Sequence, residues 1–276
     1  MSFKIIEKNR VSKHKSIEYC EDKIVYNEYF ASVIDGATTK SPTLYESKTS
    51  GLLVSDILEK TILSLEEKTS LPQALDILTN SVRAFYIAND LTENMKKNPV
   101  DRLTASIVIF SKYYDQIWMI GDCQCIVDNK LHTNEKLVDK LLSEIRAFYI
   151  TKELVSQKSI EELQKTDTGR QYILPLLISQ SYFQNSNFES EYSYCVVDGF
   201  SINISQVKVV DTSSSKTIIL ASDGYPKLFN SLEESENYLS YILEKDPLCY
   251  HLYKSTKGKN LNMNSFDDRA YLKLEK

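Results

Sequence analysis

Glycine is scarce in this chain, with seven in 276 residues, and no Gly/Ser-rich tract, charge block or low-complexity segment interrupts the sequence. Nothing therefore marks a linker, and residues 1–276 read as a single domain, although the length alone would allow two. Long apolar runs are also missing. No stretch approaches the roughly 20 apolar residues of a membrane span, and MSFKIIEKNR is too short in its apolar part and too charged afterwards for a secretory signal. The expectation is a cytoplasmic protein with no membrane partner. Basic charge is not concentrated either. The formal net charge is -5, with Lys and Arg scattered, which excludes the electrostatic footprint of a nucleic-acid partner. Five cysteines make an odd number without a framework spacing, so reduced thiols are expected rather than disulfides. Cys123 and Cys125 would share one face of a strand, but with no second Cys/His pair nearby a buried structural role outweighs metal binding. The three histidines, His14, His132 and His251, share no common context, and surface or core roles are expected for them.

What the sequence does contain is 42% hydrophobic residues, enough for a substantial core. SFKIIEK and DKIVYNEYFASVID predict strands. Ser41-Pro42 reads as a helix start, followed by Val54, Ile57, Leu58, Ile62 and Leu65 at helical spacing. A second helix follows from Ser70, with Leu71, Leu75, Leu78, Val82 and Phe85 on one stripe. RLTASIVIFSK, QIWMIGD and CQCIVDNK predict an antiparallel meander, their connections being too short for crossover helices. Residues 134–184 are mixed and mostly helical in pattern. Further strands are expected in EYSYCVVDGFSINISQVKVV, KTIILASD and RAYLKLEK, with a helix from about Ser231 to Glu244. Runs of strands alternating with helical pairs indicate an α+β layered domain. The pentapeptide RAFYI occurs at 83–87 and 146–150 without flanking similarity, a coincidence rather than a repeat, with amphipathic helix expected for both copies. Arg102 reads as an ordinary surface arginine.

Four of the seven glycines adjoin an aspartate: Asp35-Gly36, Gly121-Asp122, Asp198-Gly199 and Asp223-Gly224. Asp-Gly is a common hairpin signal. Asp198-Gly199, with SYCVV before it and FSINI after, reads as a plain turn. Asp35-Gly36 and Asp223-Gly224 instead end apolar strands and lead into polar loops, where rigid strand ends can hold functional groups. Glu21-Asp22, Asp122 and Asp267-Asp268 also sit at strand boundaries. Two explanations stay open, solvated strand ends or a carboxylate cluster, and the second would need cations to offset the repulsion. Oxygen-only ligation suits Mg²⁺ or Mn²⁺.

In order along the chain, Glu21-Asp22, Val33-Ile34-Asp35-Gly36, Leu103-Thr104-Ala105, Gly121-Asp122, Ala221-Ser222-Asp223-Gly224 and Asp267-Asp268 resemble the motifs of the PPM family of metal-dependent protein phosphatases (type 2C), in a divergent bacterial-type form. The resemblance implies a four-layer αββα sandwich of two antiparallel sheets flanked by helical pairs. It implies hydrolysis of phosphate monoesters, phosphoserine or phosphothreonine of a phosphoprotein or a small phosphoester, by water activated between two Mg²⁺ or Mn²⁺ ions. Asp35 would bridge the ions and the Gly36 carbonyl would ligate one. Asp223 and Asp267 would hold the other. Glu21 and Asp22 would serve catalysis directly or through water, and Asp122 matches a position for a third, weaker ion. Three positions depart from the pattern. Ile17 stands where an arginine often grips the substrate phosphate, with Lys13, His14 and Lys15 as the nearby cations. Ala37 replaces a histidine proposed as general acid, and Lys227 replaces an acidic residue. These departures keep open a catalytically weak or inactive, phosphatase-like binding module as the alternative.

Overall fold

Alternating apolar residues build two five-stranded antiparallel sheets in this computed structural model, which describes residues 3–276 apart from 39, 41, 42 and 46. The strands are β1 (Lys4–Val11), β2 (Asp22–Tyr26), β3 (Phe30–Gly36), β4 (Ala105–Ser111), β5 (Gln116–Ile120), β6 (Gln124–Val127), β7 (Lys130–His132), β8 (Lys208–Asp211), β9 (Thr217–Ala221) and β10 (Arg269–Glu275). One sheet has the order β2-β3-β4-β5-β8 and the other β1-β10-β9-β6-β7. Their inner faces meet in one buried cluster, Ala31, Val33, Val108 and Phe110 from the first sheet against Ile218, Leu220, Leu272 and Leu274 from the second. Each such side chain, taken fully out of water, stabilises the fold by about 1.5–3 kcal/mol.

The period of two sends Phe30, Ile34, Ile107 and Ile109 to the opposite face of the first sheet. There they meet Val54, Leu58, Leu78 and Val82 of α1 (Ser50–Leu63) and α2 (Leu71–Ala88). The expected helix start at Ser41-Pro42 lies outside the described residues. The helix itself begins at Ser50, where the Thr49 hydroxyl accepts from Leu52 N at 3.2 Å. α2 starts as expected, with the Gln73 side chain accepting from Ser70 N at 2.9 Å in a capping box. α3 (Thr92–Lys97) then leads into β4.

Residues 134–184 are largely helical as expected: α4 (Leu137–Val155), α5 (Ile160–Lys165) and α6 (Thr168–Ser179). α4 and α6 share a small apolar cluster of Leu142, Ile173 and Leu177. On the outer face of the second sheet, Ile126, Ile219 and Tyr271 pack under Tyr225, Leu228 and Leu232, the last being the first residue of α7 (Leu232–Lys245). Glu236 of α7 accepts from Arg269 of β10 at 2.7 and 2.8 Å and from Asn9 of β1 at 3.0 Å. The layers thus run helices, sheet, sheet, helix, with the fourth layer a single helix. No helix of the described residues is long and apolar enough to cross a membrane.

Two expectations need correction. The predicted meander is split: β4 and β5 pair in one sheet, whereas β6 pairs with β9 and β7 in the other. The chain changes sheets at Gly121-Asp122. The segment 192–207 forms no hairpin, only isolated bridges between Ala105 and Val197 and between Gln184 and Tyr194. Asp198 is fully buried, and its carboxylate accepts from Arg102 (2.9 Å), Gln184 (3.0 Å), Asn185 (2.7 Å) and Phe200 N (3.0 Å). Arg102 is accordingly no surface residue, since it also stacks 3.8 Å from the Phe200 ring centroid. Strand-like composition lost to this network because four directed bonds to a buried carboxylate outweigh local β propensity.

Candidate metal centre

At one edge of the facing sheets the strand ends bring carboxylates together. β2 and β3 are antiparallel with Asp22 opposite Asp35. Asp35 in turn lies opposite Ser106 of β4, whose hydroxyl is 2.5 Å from the Asp122 carboxylate. Gly121 makes this approach possible: its φ is +90°, and a Cβ there would run into Ser106. β9 and β10 are also antiparallel neighbours, so Asp223, just after β9, and Asp267, just before β10, arrive at the same edge. Oxygens of Asp35, Asp122 and Asp223 all lie within 4.8 Å of one another. They line a cleft of about 380 Å³, which Asp267 also lines.

Gly36 has a different local reason for being glycine than close approach to an ion. Any Cβ would collide with the Gly51 carbonyl oxygen and the Ser55 hydroxyl, so the bare backbone lets α1 dock against the end of β3. Ala37 then follows with its N–H bonded to Thr104 O at 2.9 Å.

The acidic groups are not all free. Lys13, only 6% exposed, places its ammonium 2.9 Å from Glu21, 3.5 Å from Asp267 and 3.3 Å from Asp268. Burial alone would lower its pKa, but the charges of Asp267, Glu21 and Asp268 overcome this and hold the ammonium firmly protonated. Lys257 pairs with Asp267, and Lys136 pairs with Asp122 at 2.8 Å. Burial opposes ionisation of Asp122, yet the Lys136 charge keeps its pKa below the ordinary carboxylate value. Glu21 also accepts from Thr49 at 2.7 Å and Thr38 at 3.1 Å. Asp268 is committed to the backbone, accepting from Lys13 N at 2.7 Å and Glu21 N at 3.0 Å.

Three carboxylates lack such cations. Asp22 is 1% exposed, and its Oδ2 has no hydrogen-bond partner among the described residues. Burial first, then the charge of Asp268, pushes its pKa well above the usual range. Asp35 and Asp223 keep some surface open to the cleft but are likewise pushed up, by burial and then by neighbouring charge, Asp22 in the first case and Asp35 in the second. Of the seven carboxylates of this edge, Glu21, Asp122, Asp267 and Asp268 share three ammonium groups in ion pairs, and Asp22, Asp35 and Asp223 have none among the described residues. Three close carboxylates without a paired cation and an orphaned buried oxygen fit a site for hard divalent cations, and the donors are all oxygen.

The expected residues thus share one edge, with differences of detail. Asp122, expected to serve a third, weaker ion, is in the tight trio. Asp267 lies in the same cleft but outside that trio and is held by Lys257 and Lys13. Lys136, Lys257 and Lys40 of the cleft carried no signal in the sequence, since each lies in a segment without recognisable motif.

No family model matches the chain, and no curated protein matches it. Solved structures similar to it include the serine/threonine phosphatase PstP/Ppp of Mycobacterium tuberculosis, at 11% identity over 100% of this chain and 99% of that one, with TM-score 0.45. The serine/threonine phosphatase Stp1 of Staphylococcus aureus is 12% identical over 98% and 94%, TM-score 0.46. The catalytic domain of PstP in complex with two manganese ions is 10% identical over 98% of each chain, TM-score 0.46. At this level of likeness the activity has to be argued from the chain's own residues. By its ordered acidic strand ends and the carboxylates they bring to one edge of two facing sheets, the chain is similar to the metal-dependent protein phosphatases of the PPM type.

Proposed function

We propose that residues 1–276 form one catalytic domain that hydrolyses phosphate monoesters, with phosphoserine or phosphothreonine in a protein as the substrate class and Mg²⁺ or Mn²⁺ as cofactor. The observation that carries this is the trio Asp35, Asp122 and Asp223 with oxygens within 4.8 Å, beside the orphaned Oδ2 of Asp22. In this reading Asp35, Asp223 and Asp122 hold the ions, with Asp267 and the Gly36 carbonyl at the margin of the same site. Bound there, the ions would supply neutralising charge for the phosphoryl group and a water acidic enough to attack at neutral pH. Glu21, fixed by Lys13, Thr38 and Thr49, anchors the chain just before β2, whose first residue is Asp22. Asp22, buried opposite Asp35 across the ladder, would serve the site from behind it, its charge offset once cations are bound. Positioning and electrostatics then do most of the work that phosphoryl transfer needs. The test is aryl-phosphate hydrolysis with Mn²⁺ and with chelator. Metal-dependent turnover that disappears in Asp223→Ala is the expected outcome, and turnover indifferent to chelator overturns the reading.

A second reading, a phosphatase-like binding module with little or no catalysis, is favoured by one observation. Lys13, Lys136 and Lys257 already neutralise Glu21, Asp122 and Asp267. Calorimetric titration decides between the two: absence of Mn²⁺ binding favours the module.

A further inference from the structure

Ile17 leaves the chain without an arginine at the position where the resemblance expects a grip on the substrate phosphate. The structure explains why no neighbour takes over. Ile17 is 45% exposed on a short 3-10 turn, Ile17–Tyr19, outside the cleft. Lys15 is exposed, and Lys13 is consumed by Glu21, Asp267 and Asp268. Lys136 and Lys257 are likewise tied to carboxylates.

Arg170 is different. It lines the same cleft as Asp35, Asp122, Asp223 and Asp267, yet among the described residues it forms no ion pair. Only Nη1 is engaged, donating to the carbonyl oxygen of Thr256 at 2.9 Å and to its hydroxyl at 3.3 Å. The next residue, Lys257, pairs with Asp267, which sets the guanidinium beside the acidic edge. Its mounting is rigid. Arg170 is in the first turn of α6, whose N-cap Asp167 accepts from Arg170 N at 2.8 Å. Asp167 is gripped by the fully buried Arg146, which also donates to the carbonyls of Leu248, Cys249 and Ser255. Helix α6 is thereby fastened to the loop that carries Thr256 and Lys257. Cations gather on this side of the cleft: the pKa of Lys40, another residue lining it, is lowered to about 8, by burial first, with Arg170, Lys136 and Lys257 adding to the effect against Asp139, while Asp267, Asp167 and Asp139 act on Arg170 itself. An anion bound here would relieve that accumulation.

We propose that Arg170, supplied by α6 rather than by the segment before β2, provides the forked grip on the phosphate group of the substrate, an inference that rests on the phosphatase reading of the neighbouring carboxylates. A guanidinium fits two phosphate oxygens at once, whereas an ammonium acts as a point charge. The remaining donors of Arg170 take the non-bridging oxygens while the acidic edge faces the rest of the group.

The test is calorimetric titration of inorganic phosphate, and separately of Mn²⁺, into the full chain and its Arg170→Ala and Arg170→Lys variants, with thermal unfolding of each. Expected is a roughly tenfold loss of phosphate affinity in Arg170→Ala and a smaller loss in Arg170→Lys, with Mn²⁺ affinity unchanged. In the aryl-phosphate assay the same change should appear mainly in KM. If Arg170→Ala does not fold, Arg170→Lys decides by whether its phosphate affinity falls. Phosphate affinity equal to that of the unaltered chain, or no phosphate binding by the unaltered chain, overturns the proposal. If the unaltered chain binds phosphate through Arg170 but takes up no Mn²⁺, the anion grip stands and the phosphatase reading falls.

Discussion

Asp198, fully buried, and Asp35, half-buried at the cleft, are each followed by glycine, yet their surroundings are opposite. Asp198 is enclosed by donors: Arg102, Gln184, Asn185 and the Phe200 N–H all point at its carboxylate. Asp35 is enclosed by acceptors, with Asp122 and Asp223 within 4.8 Å and Asp22 opposite it across the ladder. A buried carboxylate that has collected enough donors is structural, because its hydrogen bonds are already made, even though burial still holds the Asp198 pKa above the ordinary value against the charge of Arg102. One that has collected other carboxylates needs a cation or a proton. The comparison also separates two groups within the site. Asp122 and Asp267 have lysines, and their pKa values are lowered, while Asp22, Asp35 and Asp223 have none and theirs are raised.

Breaking the acceptor-rich side should have the largest effect on function. Asp35→Asn is expected to reduce Mn²⁺-dependent hydrolysis by about a thousandfold or more, while circular dichroism reports an unchanged fold. Retained activity would remove Asp35 from the centre. On the donor-rich side the loss should fall on stability. Asp198→Ala leaves the Arg102 guanidinium, with its side chain 10% exposed, without its partner, and a cost of about 3 kcal/mol is expected from urea unfolding. Mn²⁺ affinity should not change. Addition of the cation sharpens the contrast further: at roughly a hundredfold excess over its Kd, Mn²⁺ should stabilise the chain by about 2.7 kcal/mol. Thermal unfolding should show that gain in Asp198→Asn and not in Asp35→Asn.

A smaller, pH-dependent effect is expected for Asp22. Its folded-state pKa is raised above the usual value of 3.8, so its contribution to stability is complete below about pH 4 and is lost as pH rises. In metal-free protein, Asp22→Asn should therefore unfold at a higher temperature than the unaltered chain near neutral pH, with the difference vanishing towards pH 4. A difference independent of pH would show that Asp22 is not the strained group.

Much of this architecture is legible in the sequence because it depends on short-range pattern. The short apolar runs FASVI and TIILA predict strands, and Asp35 and Asp223 stand where those strands stop. What the sequence leaves hidden is pairing across the chain. The change of sheet between β5 and β6 is not encoded in either strand, since both carry ordinary strand patterns. Lys136 and Lys257 are undistinguished as residues, and they and Lys13 become part of the site only because the fold brings them to carboxylates, in the case of Lys13 as far as 255 positions away. Asp198-Gly199 looks like a turn because Gln184, Asn185 and Arg102, which complete its shell, are remote or unremarkable in sequence.

The two copies of RAFYI mark the division most clearly. In α2 the pentapeptide buries Tyr86 and leaves Ala84 and Ile87 exposed, whereas in α4 it buries Arg146, Ala147 and Ile150 and leaves Phe148 exposed. Both copies are helical because each lies within a longer segment, of 18 residues in α2 and 19 in α4, whose pattern is helical. Which face goes inward was decided by tertiary structure. A sheet covers one side of α2, while Asp167 and the carbonyls of the 248–255 loop draw in Arg146 of α4. The same division holds at the metal centre: local pattern placed each aspartate at a strand end, and only the pairing of the strands placed the aspartates beside one another.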